Sequence, residues 1–162
     1  MALAAIEEGK FAQAFPSFGP ERRGAPVLAF CRISSEPIKI RANIYEPDLV
    51  VVLDASLLKI VNVAAGLKPD GIQVTTSGDS AEKVKEDLKI KNRLGLVDAV
   101  KIAREVLGLP ITNTTMLGSL VKVSGLVKKE SFISPLKERF GRIAEKNISA
   151  FERAYRETIL IQ

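Results

Sequence analysis

Two adjacent arginines, Arg22 and Arg23, are the residues of this sequence best suited to chemistry, and the chemistry that they suit is anion recognition. Each guanidinium presents a planar fork of N–H donors that can bind a carboxylate or a phosphate bidentately. The two arginines lie in the stretch Phe15–Pro26, which also contains three prolines and two glycines. Prolines lack a backbone donor and glycines permit positive φ, so this stretch predicts a shaped loop.

The same stretch can also be interpreted as a structural turn on the surface. Glu21 precedes the two arginines, and an exposed pair of a carboxylate with an arginine commonly contributes little to stability. Loops that are held by a scaffold are, however, the places where binding sites concentrate. The residues alone therefore leave two interpretations open, an inert turn and an anion-binding loop.

The composition excludes several classes of enzyme. The sequence contains no histidine, which removes the usual base at neutral pH and the commonest metal ligand. A Ser–His or Cys–His nucleophile is therefore impossible, and most hydrolase and zinc-enzyme interpretations are excluded. The single cysteine, Cys31, cannot supply the four thiolates of an iron–sulfur cluster. Any redox chemistry would have to reside in a partner or a cofactor.

Length and charge predict one globular domain that spans residues 1–162. The chain is 46% hydrophobic and 27% charged, which are ordinary globular values, and its net charge of +5 favours an anionic ligand or an acidic partner. We expect a cytoplasmic location and no membrane partner, because we find neither a secretory signal nor an apolar run of transmembrane length. We expect no nucleic-acid partner, because aromatics are few and no RNA-binding motif is present.

Hydrophobic periodicity predicts alternating strands and helices. The predicted strands are Val27–Ser34, Pro37–Tyr45, Leu49–Leu53, Ile72–Thr76 and Leu94–Val97. The predicted helices are Leu3–Phe15, Ser56–Val63, Ala81–Lys91, Ala99–Leu107, Met116–Val123, Ser134–Phe140 and Ile143–Thr158. Gly9 offers an alternative end for the first helix, in which case Lys10–Phe15 is extended. The first two strands are predicted to form a β-hairpin through Ser34–Glu36. The fold class is α/β, a single-domain, three-layer open sheet that is mostly parallel, with helices on both faces.

Four polar residues follow strands or precede a helix, where α/β sheets bind ligands. Asp54 and Asp98 each follow an apolar strand, at the carboxyl edge of the predicted sheet. Thr112 and Asn113 precede a helix, whose first N–H groups can hold an anion. Helix capping alone explains all four residues equally well. The sequence has no glycine-rich phosphate loop of a known pattern.

The run Gln13–Val27, which reads QAFPSFGPERRGAPV, strongly resembles the gamma subunits of 2-oxoacid:ferredoxin oxidoreductases, and most closely those of pyruvate synthase. The resemblance covers essentially the whole chain. Further segments that carry it are Arg32–Ser34, Glu36–Ile38, Tyr45–Asp54, Leu109–Gly118 and Glu145–Asn147. Such gamma subunits begin with a strand and a Gly-Arg-Gly-Gly-Gln-Gly loop, so the resemblance implies a chain that is truncated at its N-terminus relative to the family. If the missing strand is central, two strand edges would need another partner.

The resemblance also implies an activity and a set of partners. The family oxidatively decarboxylates a 2-oxoacid with coenzyme A, giving acyl-coenzyme A, CO₂ and reduced ferredoxin, and the reaction is reversible. Thiamine diphosphate and magnesium would lie on the alpha and beta subunits, and the 4Fe-4S clusters mainly on the delta subunit. The gamma chain would bind no cofactor alone but would help to form a shared coenzyme A site.

On this resemblance, two groups of residues are expected to act in binding. The residues expected at the coenzyme A site are Arg22, Arg23, Ser34, Thr112 and Asn113, and those expected at a subunit interface are Phe18 and Glu21. Alternatives that remain open are a gamma subunit for 2-oxoisovalerate, indolepyruvate or 2-oxoglutarate, and a free-standing nucleotide- or coenzyme A-binding module.

Overall fold

A computed structural model of the chain describes residues 1–17 and 26–162. These residues form six strands: β1 Phe11–Ser17, β2 Leu28–Ser34, β3 Leu49–Val51, β4 Ile72–Thr76, β5 Arg93–Val97 and β6 Ile159–Ile161. They also form six α-helices: α1 Ala2–Glu7, α2 Ala81–Leu88, α3 Ala99–Leu107, α4 Asn113–Ser124, α5 Ile133–Phe140 and α6 Ala144–Glu157. Short 3-10 helices cover Ala55–Lys59, Lys129–Phe132 and Gly141–Ile143.

The main sheet has the strand order β3-β4-β5-β6, in which β3, β4 and β5 are parallel and β6 is antiparallel to β5. Successive side chains of a strand point to opposite faces of the sheet, so different apolar residues cover each face. Ile72 and Val74 of β4 pack against α3, α4 and α6. Leu94 and Leu96 of β5 pack against α2 on the opposite face. The predicted α/β class, with helices on both faces of the sheet, is confirmed.

Helices α4 and α6 make the closest contact of the helical layer. A Cβ atom built on Gly118 of α4 would collide with the backbone carbonyl of Phe151 in α6, so this position requires glycine. Met116 and Phe151, which flank the crossing, are fully buried. Packing of this density fixes α4, whose first residues lie at the edge of the main sheet.

The prediction for the N-terminal segment holds only in its alternative form. Helix α1 ends at Glu7, Gly9 has a φ of +75°, and the chain is extended from Phe11 to Ser17. A single helix over Leu3–Phe15 is therefore wrong, because the positive φ of Gly9 breaks it. The extended segment is β1, which pairs antiparallel with β2 in a separate two-stranded ribbon.

The predicted hairpin between Val27–Ser34 and Pro37–Tyr45 is wrong. Residues 37–45 form no strand, and β1 takes the place beside β2. Arg32 of β2 donates hydrogen bonds of 2.6 and 3.2 Å to the carbonyls of Ala42 and Asn43, which holds this segment as a loop. Strand β6 was not predicted, because three residues after a helix carry no readable alternation.

Within the two described ranges, no helix combines the length and the apolar character that a membrane crossing requires.

Candidate functional site

A crevice of about 580 Å³ lies where the carboxyl ends of β3, β4 and β5 meet. Its lining includes Leu53, Asp54, Ser77, Gly78, Asp98 and Thr112. Parallel strands deliver the residues that follow them to the same edge, which is the usual binding edge of an α/β sheet. The structure therefore brings together three of the four polar residues that the sequence places near ligand-binding positions.

Thr112 connects two walls of the crevice. Its hydroxyl Oγ1 donates a 3.1 Å hydrogen bond to the carbonyl of Leu53, which follows β3. Thr112 occupies the N-cap position of α4 as predicted, but its side chain accepts no capping hydrogen bond. Asn113 instead accepts a 2.7 Å hydrogen bond from the backbone N–H of Thr114. The hydroxyl of Thr112 thus serves to hold the crevice together.

The two aspartates of the crevice both cap helices. Asp54 Oδ1 accepts a 2.9 Å hydrogen bond from the N–H of Ser56, and Asp98 Oδ1 accepts one of 3.0 Å from the N–H of Lys101. Hydrogen bonds from the backbone and then from the side chain of Ser56 lower the pKa of Asp54. The capping interpretation is confirmed. Both residues also line the crevice, so a helix cap can at the same time be a residue of the candidate binding site.

Gly78 allows the chain after β4 to pass close to Asp98. A Cβ atom at this position would lie 3.1 Å from Asp98 Oδ2, tighter than an ordinary van der Waals contact. Ser77, just before it, accepts a 3.1 Å hydrogen bond from the N–H of Asp79 through its hydroxyl. These two residues could not be assigned to a site from the sequence, because Ser-Gly-Asp is a common sequence before a helix.

The lining of this crevice is acidic rather than basic. Among the described residues that line it there are two carboxyl groups, those of Asp54 and Asp98, and neither lysine nor arginine. Such a lining favours ligand groups that donate hydrogen bonds, namely hydroxyl, amide and amino groups. Phosphate groups would need cations from elsewhere, because carboxylates repel them.

The remaining predicted site residues lie apart from this lining or outside the described residues. Asn113 is exposed beside Thr112 and is not part of the lining. Ser34 lies at the end of β2, opposite Phe11, and its hydroxyl accepts a 3.0 Å hydrogen bond from the N–H of Glu36. Arg22, Arg23, Phe18 and Glu21 lie in the segment 18–25, so their expected roles stay predictions.

The ribbon of β1 and β2 leads into and out of that segment. Phe15 and Phe30, directly opposite each other, place their ring centroids 5.5 Å apart. The guanidinium carbon of Arg32 lies 6.0 Å from the centroid of the Phe15 ring, within the range of a cation–π contact. This cluster packs one face of the ribbon whose two strands flank the segment 18–25 in the sequence.

Comparison with known proteins gives the family. The family model for pyruvate ferredoxin/flavodoxin oxidoreductase matches residues 1–157. The common gamma subunit of pyruvate/ketoisovalerate oxidoreductases from Thermococcus kodakarensis is 55% identical over 164 residues, covering 100% of this chain and 89% of that protein. The pyruvate synthase subunit PorC of Methanocaldococcus jannaschii is 48% identical, covering 98% of this chain and 86% of that one.

A solved structure agrees with these sequence matches. The crystal structure of the pyruvate oxidoreductase subunit PORC from Thermotoga maritima superposes with a TM-score of 0.86 at 35% identity, covering 99% of this chain and 87% of that chain. With the family model matched over nearly the whole sequence, this chain belongs to the pyruvate ferredoxin/flavodoxin oxidoreductase family.

Proposed function

We infer that this chain is the gamma subunit of a 2-oxoacid:ferredoxin oxidoreductase, with pyruvate synthase as the best-supported enzyme. The observation that carries this inference is the similarity over 98–100% of the chain to proteins named as gamma subunits or as PorC. In that enzyme, pyruvate and coenzyme A give acetyl-coenzyme A and CO₂, and ferredoxin accepts the electrons. The Thermococcus relative is named as common to pyruvate and ketoisovalerate enzymes. This name favours 2-oxoisovalerate as the second candidate substrate.

The chain acts in this proposal as a subunit that does no chemistry alone. It has no histidine and one cysteine, so it lacks the usual base and the thiolates of a cluster. We place thiamine diphosphate and magnesium on the alpha and beta subunits and the 4Fe-4S clusters mainly on the delta subunit. A cytoplasmic location is part of the same proposal.

The crevice fits one part of coenzyme A and not another. The carboxyl groups of Asp54 and Asp98 can accept hydrogen bonds from the amide, hydroxyl and amino groups of the cofactor. The phosphates do not fit this acidic lining. We therefore assign the phosphates to Arg22 and Arg23, in the segment between β1 and β2. When bound, coenzyme A supplies the thiol that accepts the acyl group.

The chain's own residues then have separable tasks. Thr112 holds the segment after β3 against the start of α4, where both line the crevice. Asp54, whose lowered pKa keeps it ionised at neutral pH, can orient a donor group of the ligand. Asn113 and Ser34 stay proposed contacts to the cofactor at the rim of a shared site.

The ribbon is our proposed contact with the other subunits. A two-stranded antiparallel ribbon is marginally stable unless another surface covers it. Ala12 and Ile33 pack against the helical core, whereas Ala14, Pro16 and Ala29 on the same face are exposed. We propose that an alpha or beta subunit covers this outer part, with Phe18 and Glu21 at the contact.

Reconstitution tests the proposed function. An affinity-tagged copy of this chain, produced in its native host, should recover iron-containing alpha, beta and delta partners. The recovered complex should reduce ferredoxin in a reaction that requires both pyruvate and coenzyme A. Recovery of the chain alone, with coenzyme A bound unaided, would instead support a free-standing binding module. Activity with 2-oxoisovalerate in place of pyruvate would change the assigned substrate.

A further inference from the structure

A second cavity, of about 260 Å³, lies on the face of the main sheet that carries α2. Its walls are Leu58, residues 61–64 and residues 89–92, which follow α2. Gln73 of β4 lies at its base, directly opposite Leu94 in the parallel register. Gln73 lies near the amino end of β4, whereas the crevice lies at the carboxyl end. None of the described residues lines both cavities.

Gln73 is a buried donor without an acceptor. Its side chain is 2% exposed, and within the described part of the chain its Nε2 has no hydrogen-bond partner. A buried amide is normally hydrogen-bonded, and an exception calls for an explanation such as a missing ligand. Because Nε2 can only donate, the group that satisfies it must be an acceptor, such as a carboxylate or phosphate oxygen.

Two lysines supply positive charge to the same cavity. Lys89 and Lys91 both line it, and neither makes an ion pair with a residue in the ranges 1–17 and 26–162. Lys89 has a φ of +51°, and it is the one non-glycine residue with positive φ in those ranges. Glycine is the usual residue at this position after a helix. Lys89 ends α2 in this left-handed conformation, so the turn that carries both lysines begins there.

The wall that carries the lysines is held in place by a separate contact. Asn92 Nδ2 donates hydrogen bonds of 3.1 and 3.4 Å to the carbonyls of Lys68 and Pro69. The turn after α2 is therefore attached to the loop that precedes β4, the strand of Gln73. The cationic wall and the amide at the base are thus positioned by the same part of the fold.

We propose that this cavity binds a small oxyanion, a carboxylate or phosphate group, with Gln73 as hydrogen-bond donor and Lys89 and Lys91 as counter-charges. Its volume of about 260 Å³ lies below the range of about 300–1,000 Å³ that is typical of sites for drug-sized ligands. The ligand is therefore a small molecule or a single charged group, and whole coenzyme A is too large. This proposal does not depend on the function of the crevice.

The test uses the glutamines themselves as probes. The sequence has three glutamines, Gln13, Gln73 and Gln162, so selective ¹⁵N labelling of the full chain gives three side-chain amide signals. Inorganic phosphate and acetate are titrated separately at constant ionic strength against sodium chloride. We expect a saturable shift of the Gln73 signal, with those of Gln13 and Gln162 unmoved. A response to phosphate alone, to acetate alone or to both identifies the oxyanion that is preferred.

Charge variants provide the matched control. Lys89→Met with Lys91→Met removes both charges without adding a labelled glutamine and should weaken the response of Gln73 at least tenfold. Lys101→Met with Lys146→Met removes the same charge from exposed positions on α3 and α6 and should leave the response unchanged. No Gln73 shift at about 10 mM of either probe, a concentration that would reveal millimolar binding, would overturn the proposal. Equal weakening by both double variants would also overturn it, because the effect would then be one of net charge.

Discussion

The hydroxyl of Thr112 donates a 3.1 Å hydrogen bond to the carbonyl of Leu53 and so joins the first residue before α4 to the end of β3. The two residues are 59 positions apart in the sequence and both line the crevice. The hydrogen bond therefore ties the start of α4 to the segment after β3 at the border of the crevice.

Thr112→Val removes this hydrogen bond while keeping the shape of the side chain. We expect a KM for coenzyme A about fivefold higher, from the loss of roughly 1 kcal/mol, with little change in kcat. Steady-state kinetics of the assembled complex at varied coenzyme A gives both constants. Thr112→Ser retains the donor and should behave as the unaltered protein. If the valine variant keeps the original KM, the crevice does not bind the cofactor.

Arg22→Ala with Arg23→Ala separates cofactor binding from subunit contact. If the arginines hold phosphates, the KM for coenzyme A should rise about tenfold or more, because each charged hydrogen bond contributes about 1.5–3 kcal/mol. The complex should stay assembled on a sizing column. An unchanged KM in a complex that dissociates would assign the arginines to an interface instead.

Two control variants sharpen this comparison. Arg22→Lys with Arg23→Lys keeps the charge but loses the bidentate fork, so it should recover only part of the affinity. Arg142→Ala removes an exposed arginine from the 3-10 helix before α6 and should change neither KM nor assembly. If the alanine pair resembles Arg142→Ala in both measurements, the inert-turn interpretation of the segment is correct.

Gly118→Ala should destabilise the fold strongly for a change of one methyl group. The added Cβ would collide with the carbonyl of Phe151, so α4 and α6 must separate. Overpacking of this kind costs about 1–3 kcal/mol in the free energy of unfolding, measurable by urea denaturation. Lys146→Ala, at an exposed position of α6, should change it by less than about 0.5 kcal/mol. Equal effects of the two variants would show that the helices do not cross at Gly118.

Glu8 should make the stability of the fold sensitive to acid. It accepts hydrogen bonds from Lys10 Nζ at 2.9 Å, Ser131 Oγ at 2.8 Å and the N–H of Lys128 at 2.6 Å. These contacts, with that of Lys10 the largest, lower the pKa of Glu8 to about 2. Because the pKa of Glu8 is lower in the folded chain than in the unfolded chain, its contribution to the free energy of unfolding is complete above about pH 4.5. This stabilisation is lost as the pH falls from about 4.5 through about 2.

Glu8→Gln tests this dependence through urea denaturation at several pH values. The variant should be less stable than the unaltered chain at pH 7, and the difference should shrink steadily between about pH 4.5 and 2. Glu7→Gln changes the exposed neighbour and should keep the pH profile of the unaltered chain. A difference between the Glu8 variant and the unaltered chain that stays constant down to pH 2 would contradict the assigned pKa.

Elements whose signals lie in consecutive residues could be predicted from the sequence. Helix α3 lies at the predicted bounds because its apolar stripe, the Asp98 cap and the left-handed Gly108 are all contained in consecutive residues. Strand β4 likewise matches its prediction, because four of its five residues are β-branched and Gly71 and Gly78 bound it, and both signals are local. The arginine-containing motif likewise pointed to the family that the comparisons show.

The pairing of segments and the meeting of polar groups could not be predicted from the sequence, because both join residues that are far apart in the chain. Strand β2 pairs with β1 instead of residues 37–45 because hydrogen bonds between distant segments, including those of Arg32, compete with local alternation. Contacts between distant segments also produce the acidic lining of the crevice and leave the Nε2 of Gln73 without a partner among the described residues. Burial and neighbouring charge arise when helices and strands pack together. The burial of a strand residue such as Gln73 therefore cannot be predicted from the residues next to it in the sequence.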